Sequence, residues 1–343
     1  MRAWQVAELG EPGKVMRLTG DVARPEPGPG QVLVRVRAAA VNFPDALMCR
    51  GHYQSRPPLP FTPGLELCGE LAASGEGVTE SVTEDVTGGG VGDGIAVGDR
   101  VIGTPLLPFG AYAQYALMDA RGVFAAPEAL DDAEAAALHI GYQTAWFGLH
   151  RRAGLRAGET LLVHAAAGGV GSAAVQLGKA AGATVVGVVG GPEKAEVARR
   201  LGADVVVDRR SADFVAAVKE ATGGRGADVV FDPVGGEAYQ GSTKCIAFEG
   251  RILVVGFAGG TIPAPALNHA LVKNYSIMGL HWGLYATRDP QAVRRTHEVL
   301  TGLATQGVVR PLVSERLPLA GAADAVQRVA DGTTVGRLTV LPD

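Results

Sequence analysis

His164-Ala165-Ala166-Ala167-Gly168-Gly169-Val170-Gly171 is the stretch whose reading decides the fold of this 343-residue chain. An apolar run at 160–163 precedes it and reads as a buried strand, and residues 172–181 follow as a helix. A glycine-rich turn between strand and helix lets backbone N–H groups approach a diphosphate at the helix N-terminus. Gly168 allows that approach, and Gly171 lets helix and strand pack closely. The first glycine of the usual G-x-G-x-x-G pattern is replaced by Ala166. Such a turn can exist without a ligand. This one is flanked by a strand, a helix and a second strand, which is the context a dinucleotide site requires.

The second strand, 184–189, selects among nucleotides. A protein specific for NAD places an acid at the end of this strand to bind the ribose 2′-hydroxyl. Gly190 occupies that position, so no carboxylate repels a 2′-phosphate. Lys194 follows four residues on, and Arg209-Arg210 follow the third strand, 205–208. These cations can converge on a phosphate through charge-assisted hydrogen bonds, or stand as ordinary solvated charges. The missing acid and the strand-end positions favour NADPH over NADH.

Working outward, strand–helix alternation continues through strands at 160–163, 184–189, 205–208, 228–232 and 251–255, with a sixth candidate at 276–280. The series predicts an α/β fold with a doubly wound parallel sheet. Residues 131–153 read as a helix, with Asp131 as N-cap and Glu134 as its capping-box partner. Upstream the chain reads as an irregular β domain. Residues 32–38 alternate apolar residues with arginine, and further strands are expected near 99–102 and 111–117. The tail reads as a helix from about 295, a strand at 308–313, a helix at 320–330 and a strand at 337–340. The expected organisation is a first domain at 1–125, a nucleotide-binding domain at 126–285, and a return to the first domain at 286–343. Residues 75–98 contain a local duplication, Val-Thr-Glu repeated and Val-Gly-Asp echoed, and read as a surface loop.

Composition narrows the function classes. The chain is 47% hydrophobic and 19% charged, with net charge −4, a pI near 6.0 and mean hydropathy +0.16. There is no basic excess to support nucleic-acid binding. No apolar run is long enough to span a bilayer, and the first residues lack the apolar core of a signal peptide. Cys49, Cys68 and Cys245 show neither metal-like nor redox spacing, which fits a reducing cytoplasm.

The arrangement resembles the zinc-free medium-chain dehydrogenase/reductases, in the NADPH:quinone oxidoreductase branch, along essentially its whole length. The resemblance rests on Val41-Asn42-Phe43-Pro44-Asp45, Arg50-Gly51-His52-Tyr53, and the run from Pro57 through Pro63-Gly64-Leu65-Glu66. It also rests on Val97-Gly98-Asp99-Arg100-Val101, the glycine-rich turn, and Leu201-Gly202-Ala203-Asp204. It implies a GroES-like β-barrel catalytic domain beside a Rossmann domain, and a homodimer joined through 276–280. The positions where zinc-dependent relatives carry metal ligands correspond to Asn42, Leu65 and about Ile140, none of which ligates zinc. His52, His139 and His164 are scattered and read as packing or surface histidines.

An alcohol dehydrogenase uses zinc to stabilise an isolated alkoxide. A quinone, enone or enoyl thioester spreads the arriving charge over a conjugated system, and hydrogen-bond donors then suffice. The expected chemistry is direct hydride transfer from NADPH to such a small-molecule acceptor. The site residues implied by position are Asn42, Asp45 and Tyr53. Asn42 contacts substrate or the nicotinamide ribose, or simply stabilises a turn. Asp45 orients its neighbours, and Tyr53 is the best phenolic donor; a second tyrosine found in some relatives is Leu47 here. The implied cofactor residues are Thr144, Ala167, Gly168, Gly169, Val170, Gly190, Lys194, Arg209, Val234, Gly256, Phe257, Leu280 and Trp282. Three functions remain open: quinone reduction, reduction of an enal, enone or enoyl-CoA with Arg50 and Arg56 as candidates for CoA phosphates, and non-catalytic NADPH binding.

Overall fold

The computed structural model describes residues 1–78 and 94–342. Most of the duplication at 75–98 lies outside them. The chain divides into one unit of Met1–Ile140 with Ala286–Asp343 and another of Gly141–Tyr285. The first boundary therefore falls at 140/141, where the sequence had suggested 125/126.

In the second unit six strands form a parallel sheet in the order Val205–Asp208, Thr184–Val189, Thr160–His164, Ala227–Asp232, Ile246–Val254, Ser276–Gly279. Thr160–His164 is buried along its whole length, as a central parallel strand must be. It carries the turn of interest at its carboxyl end. Helices Gly169–Ala180, Pro192–Arg200, Phe214–Ala221 and Gly236–Cys245 connect the strands. Ile246–Val254 starts earlier than expected, because Ala227 pairs with Ile246 before a register shift. Glu249 takes up that irregularity in the left-handed region at φ 57°.

The first unit is built on Gln31–Ala40, whose Val32, Val34 and Val36 are buried while Arg35 and Arg37 face outward. Its sheet runs Val313–Pro318, Arg337–Leu341, Gln31–Ala40, Leu67–Ser74, Arg100–Gly103, Val123–Ala125, with Tyr115–Asp119 also pairing to Gln31–Ala40. Thr339 lies opposite Ala40, which makes the C-terminal strand part of this sheet.

Three element expectations need correction. The strand expected at 308–313 is Val313–Pro318 instead. Pro311 cannot donate to a ladder, and Val309 is buried as a core side chain ahead of the strand. The strand expected at 111–117 is Tyr115–Asp119, because the amides of Ala111 and Tyr112 donate to Gly64 O and Pro63 O rather than to a sheet. The helix expected at 131–153 is broken into Asp132–Ala136, His139–Trp146 and a π-helical turn Phe147–Arg152. Asp131 and Glu134 form the expected reciprocal cap, with bonds of 2.9 and 3.2 Å. The break follows from Ile140, whose amide donates to the Glu66 carboxylate at 2.6 Å and starts a new helix there.

Buried titratable groups set the acid sensitivity of the fold. Burial lowers His139 from 6.5 to about 3, and lowers His164 and His297 to about 4. Hydrogen bonds from Arg50, Arg121 and Arg328 hold Glu11, Asp119 and Glu315 below their usual range. Across these groups the unfolded chain binds more protons than the folded one, so stability falls as pH drops below 6.5. Asp45 acts in the opposite sense: burial raises it to about 6, and its contribution is lost as pH rises through that value. The histidines outnumber it, and the urea midpoint should decrease steadily from pH 7 to about pH 4. A midpoint that is flat or rises over this range would contradict the assignment of neutral buried histidines.

Candidate functional site

Because all six strands of the second unit are parallel, their carboxyl ends lie along one edge of the sheet. The glycine-rich turn sits at that edge. Ala165 is left-handed at φ 50°, and the amide of Gly168 donates back to Ala165 O at 2.8 Å. A Cβ on Gly171 would meet Ala165 O at 2.1 Å, so only glycine fits there. Gly168 is less constrained by the protein itself, since its Cβ would lie 3.2 Å from the same oxygen. The Ala166 methyl is accommodated by Gly187 in the neighbouring strand, where a Cβ would lie 3.0 Å from it. This compensates for the missing first glycine. Ser172 is the first amide to donate into the helix, to Gly168 O. The N–H groups of Gly169, Val170 and Gly171 precede it in the first turn, following Ala167.

The next two strands end in a basic cluster. The Arg209 guanidinium lies over Gly190, 3.4 Å from where a Cβ would be, and Arg210 lies 3.0 Å from the corresponding point on Gly191. Burial, then the charges of Arg210 and Arg209, lower the pKa of Lys194. Three cations therefore sit within electrostatic reach of one another, an arrangement that an anion relieves. Asp208 braces the turn by accepting from the amides of Gly191 at 2.8 Å and Arg210 at 3.0 Å. Arg210 accompanies Arg209 in sequence, and its stacking on Gly191 becomes visible only in the fold.

The remaining strand ends pack together. Buried Asp232 accepts from the amides of Val234 and Gly235 at 2.8 and 2.9 Å. Gly256 lies against Pro233 O, and Phe257 against Gly235. Leu280 extends the last ladder by donating to Val254 O at 3.0 Å, and Trp282 follows, buried. Thr144 is buried on the helix one turn before Gly148, whose Cβ would meet Leu253, Leu280 and Phe231. His164 is a packing residue: its Nε2 lies 2.8 Å from Ser242 Oγ, which itself donates to Ala238 O.

In the first unit Asn42 and Asp45 open the helix Phe43–Cys49. Asp45 is fully buried and accepts from the Tyr112 hydroxyl at 2.6 Å and the Asn42 amide at 2.8 Å. Burial pushes its carboxyl up to about 6. Asn42 Nδ2 donates to Ala40 O at 3.2 Å and to Glu66 Oε2 at 3.0 Å. Glu66 is fully buried and paired with buried Arg337. Tyr53 is half-buried, and burial followed by the charge of Asp45 raises its pKa. Arg50 is held in a fork by Glu11, at 2.9 and 2.7 Å, which leaves it a structural role rather than that of a free phosphate ligand. Arg56 is exposed.

Sequence reading passed over Glu66, Arg337 and Tyr112. A signal was present for Glu66: a lone carboxylate between Leu65 and Leu67 must find a buried partner. Nothing local indicates that the partner lies 271 residues away. Among the described residues no group of three or more His, Cys, Asp or Glu is placed to hold a metal ion. None of their helices is long and apolar enough to cross a membrane.

This fold and these strand-end residues define a medium-chain dehydrogenase/reductase. Residues 28–128 match the family model "Alcohol dehydrogenase GroES-like domain", and residues 169–298 match "Zinc-binding dehydrogenase". Quinone oxidoreductase-like protein 2 of Bos taurus is 35% identical over 338 residues, covering 98% of this chain and 91% of that protein. A mycobacterial protein solved with NADPH superposes at TM-score 0.90 with 32% identity, covering both chains completely. Escherichia coli quinone oxidoreductase solved with NADPH gives 0.88 and 28%, again over both whole chains. The CurK enoyl reductase gives 0.84 and 26%, over 100% of this chain and 99% of that one. The chain belongs to the zinc-free quinone oxidoreductase family of these enzymes and is an oxidoreductase.

Proposed function

We propose that this protein is an NADPH-dependent reductase acting on a quinone or a similar conjugated acceptor. The observation that carries the reading is the cluster of Lys194, Arg209 and Arg210 beside Gly190, at the strand ends where a 2′-phosphate is recognised. No carboxylate stands at Gly190, and three cations suit a dianionic phosphate through charge-assisted hydrogen bonds. The NADPH complexes of the mycobacterial and E. coli relatives support the same assignment.

The residues present fit the cofactor. The first-turn amides of Gly169, Val170 and Gly171 offer donors for a diphosphate, and Gly171 lets the turn close on the helix, because a Cβ there would collide with Ala165 O. Val234, Gly256, Phe257, Leu280 and Trp282, with Thr144, would border the nicotinamide half. NADPH, when bound, supplies the hydride. Asn42, Leu65 and Ile140 provide no metal ligand set, so the charge arriving on the acceptor is carried by its own conjugation and by hydrogen bonds. Asn42 contacts the bound molecules, Tyr53 donates its phenol to the acceptor, and Asp45 holds the Asn42 turn against Tyr112. The likeness to CurK favours a second reading, reduction of an enone or enoyl thioester.

We further propose a cytoplasmic homodimer. All three cysteines are free and buried, as suits a reducing compartment. Ser276–Gly279 is one of the sheet's two edge strands, and on the helix just before it, Leu267–Lys273, the side chains of Leu267, Leu271 and Val272 are 73%, 77% and 77% exposed. A second copy would cover both the edge and these apolar side chains.

NADPH oxidation by the purified protein should be fast with an ortho-quinone and slow with a size-matched enone or enoyl-CoA. The opposite preference would make it an alkene reductase, and NADPH binding without turnover would make it a non-catalytic binder. Lys194→Ala should raise KM for NADPH about tenfold or more, the size of one lost charged hydrogen bond, while leaving KM for NADH nearly unchanged. Equal changes would remove Lys194 from the phosphate site. Sedimentation velocity at micromolar concentration should give twice the 35.2 kDa chain mass; a single-chain mass would refute the dimer.

A further inference from the structure

The strand Val205–Asp208 ends on a carboxylate directly followed by Arg209 and Arg210. An acid so placed can close an ion pair with a neighbouring guanidinium. Asp208 does something else. Its Oδ1 accepts from two backbone amides, Gly191 at 2.8 Å and Arg210 at 3.0 Å, and among the described residues no ion pair joins it to either arginine. The same two amides hold its carboxyl below the usual range, Arg210 first. They belong to different elements. Gly191, at φ 110°, is the residue from which the helix Pro192–Arg200 starts, and Lys194 lies in the first turn of that helix. Arg210 follows the strand, and its guanidinium lies 3.0 Å from the point a Cβ on Gly191 would occupy. The backbone around Asp208 is closed as well. The Arg209 amide donates to Val189 O at 2.9 Å, and Asp208 O accepts from Ser211 and Ala212 at 3.0 and 2.9 Å. One carboxylate thus ties the strand end that carries both arginines to the helix start that carries the lysine. Arg209 and Arg210 are both exposed, so their guanidiniums are open to a ligand.

We propose that Asp208 is a positioning residue for cofactor discrimination: by clamping the amides of Gly191 and Arg210 it holds three mutually repelling cations around one point and leaves both guanidiniums for a 2′-phosphate. Without the clamp, like-charge repulsion spreads Lys194, Arg209 and Arg210 apart, and a phosphate must gather them again at a cost in affinity. NADH carries no 2′-phosphate and is indifferent to that spacing. The proposal rests on the reading of this cluster as a 2′-phosphate site, as in the function proposed above. It assigns the work to the position of an acceptor oxygen rather than to the negative charge. An asparagine, which keeps a carbonyl oxygen at the same reach, therefore replaces Asp208, and a glutamate, which keeps the charge one methylene further out, does not.

The experiment is titration calorimetry of the full-length protein with NADPH and with NADH, on the native chain and on Asp208→Ala, Asp208→Asn and Asp208→Glu, each checked by thermal melting. Asp208→Ala should weaken NADPH binding about fivefold, the size of one net hydrogen bond, and change NADH binding by less than about twofold. Asp208→Asn should bind NADPH like the native chain, and Asp208→Glu should behave like Asp208→Ala. If Asp208→Ala does not fold, Asp208→Glu is read by the same criterion. Tighter NADPH binding in both variants that lose the charge would mean that the carboxylate only opposes the phosphate, and would overturn the proposal. Equal weakening of NADPH and NADH would make Asp208 a support of the fold and overturn it too. If the native chain does not prefer NADPH to NADH, the phosphate site itself fails and the positioning role with it. If the native chain prefers NADPH and Asp208→Ala keeps that preference, the phosphate site stands and the positioning role alone falls.

Discussion

Glu66 and Arg337 form an ion pair taken entirely out of water, with 0% and 4% exposure. Two charges can be buried only where each finds its partner and further hydrogen bonds. The Glu66 carboxylate meets this condition by gathering three separate segments: the turn at Asn42, the start of the helix at Ile140, and the C-terminal strand Arg337–Leu341. The first unit depends on that convergence. It starts a helix at 139–140 where the sequence pattern runs on, and it ties residues 286–343 to the sheet begun by Gln31–Ala40. Removing either partner strands a charge, a change on the order of 3–5 kcal/mol in comparable buried pairs.

The second unit follows a different logic, in which backbone geometry does most of the positioning. A sheet with every strand parallel places six strand ends on one edge, and the residues following each strand meet there whatever their separation in sequence. Glycine decides how closely they meet. Gly171 admits a carbonyl oxygen within 2.1 Å of its absent Cβ, and Gly187 makes room for the methyl of Ala166. The basic cluster adds positive charge to this edge beside Gly190, where the carboxylate of Asp208 is taken up by the amides of Gly191 and Arg210. One unit is thus organised by missing side chains, the other by a buried charge network.

Much of this was legible before folding. The five strands from 160 to 255, the sixth strand and the capping box at Asp131 and Glu134 follow from local periodicity and turn chemistry, and they lie where expected within a few residues. The errors occurred where a long-range contact replaced a local preference. Residues 131–153 carry a continuous helical pattern, yet the chain breaks near Ile140 because Glu66 takes the amide there. Residues 111–117 read as a strand, yet Ala111 and Tyr112 bond to the carbonyls of Gly64 and Pro63. Arg50 looks like a free cation in the sequence and is held by Glu11 in the fold.

The sequence by itself determined the parallel sheet, the nucleotide turn and the absence of an acid at Gly190, because strand periodicity, glycine spacing and residue identity are all local properties. Tertiary structure alone decided that Arg210 joins Arg209 over the Gly190–Gly191 turn, that Asp45 is buried against Tyr112, and that Glu66 and Arg337 meet across 271 residues beside Asn42. The physical reason is the same in each case. Charged and polar side chains leave water only when a specific partner replaces it, and a one-dimensional pattern shows the need for a partner without showing where in the chain that partner lies.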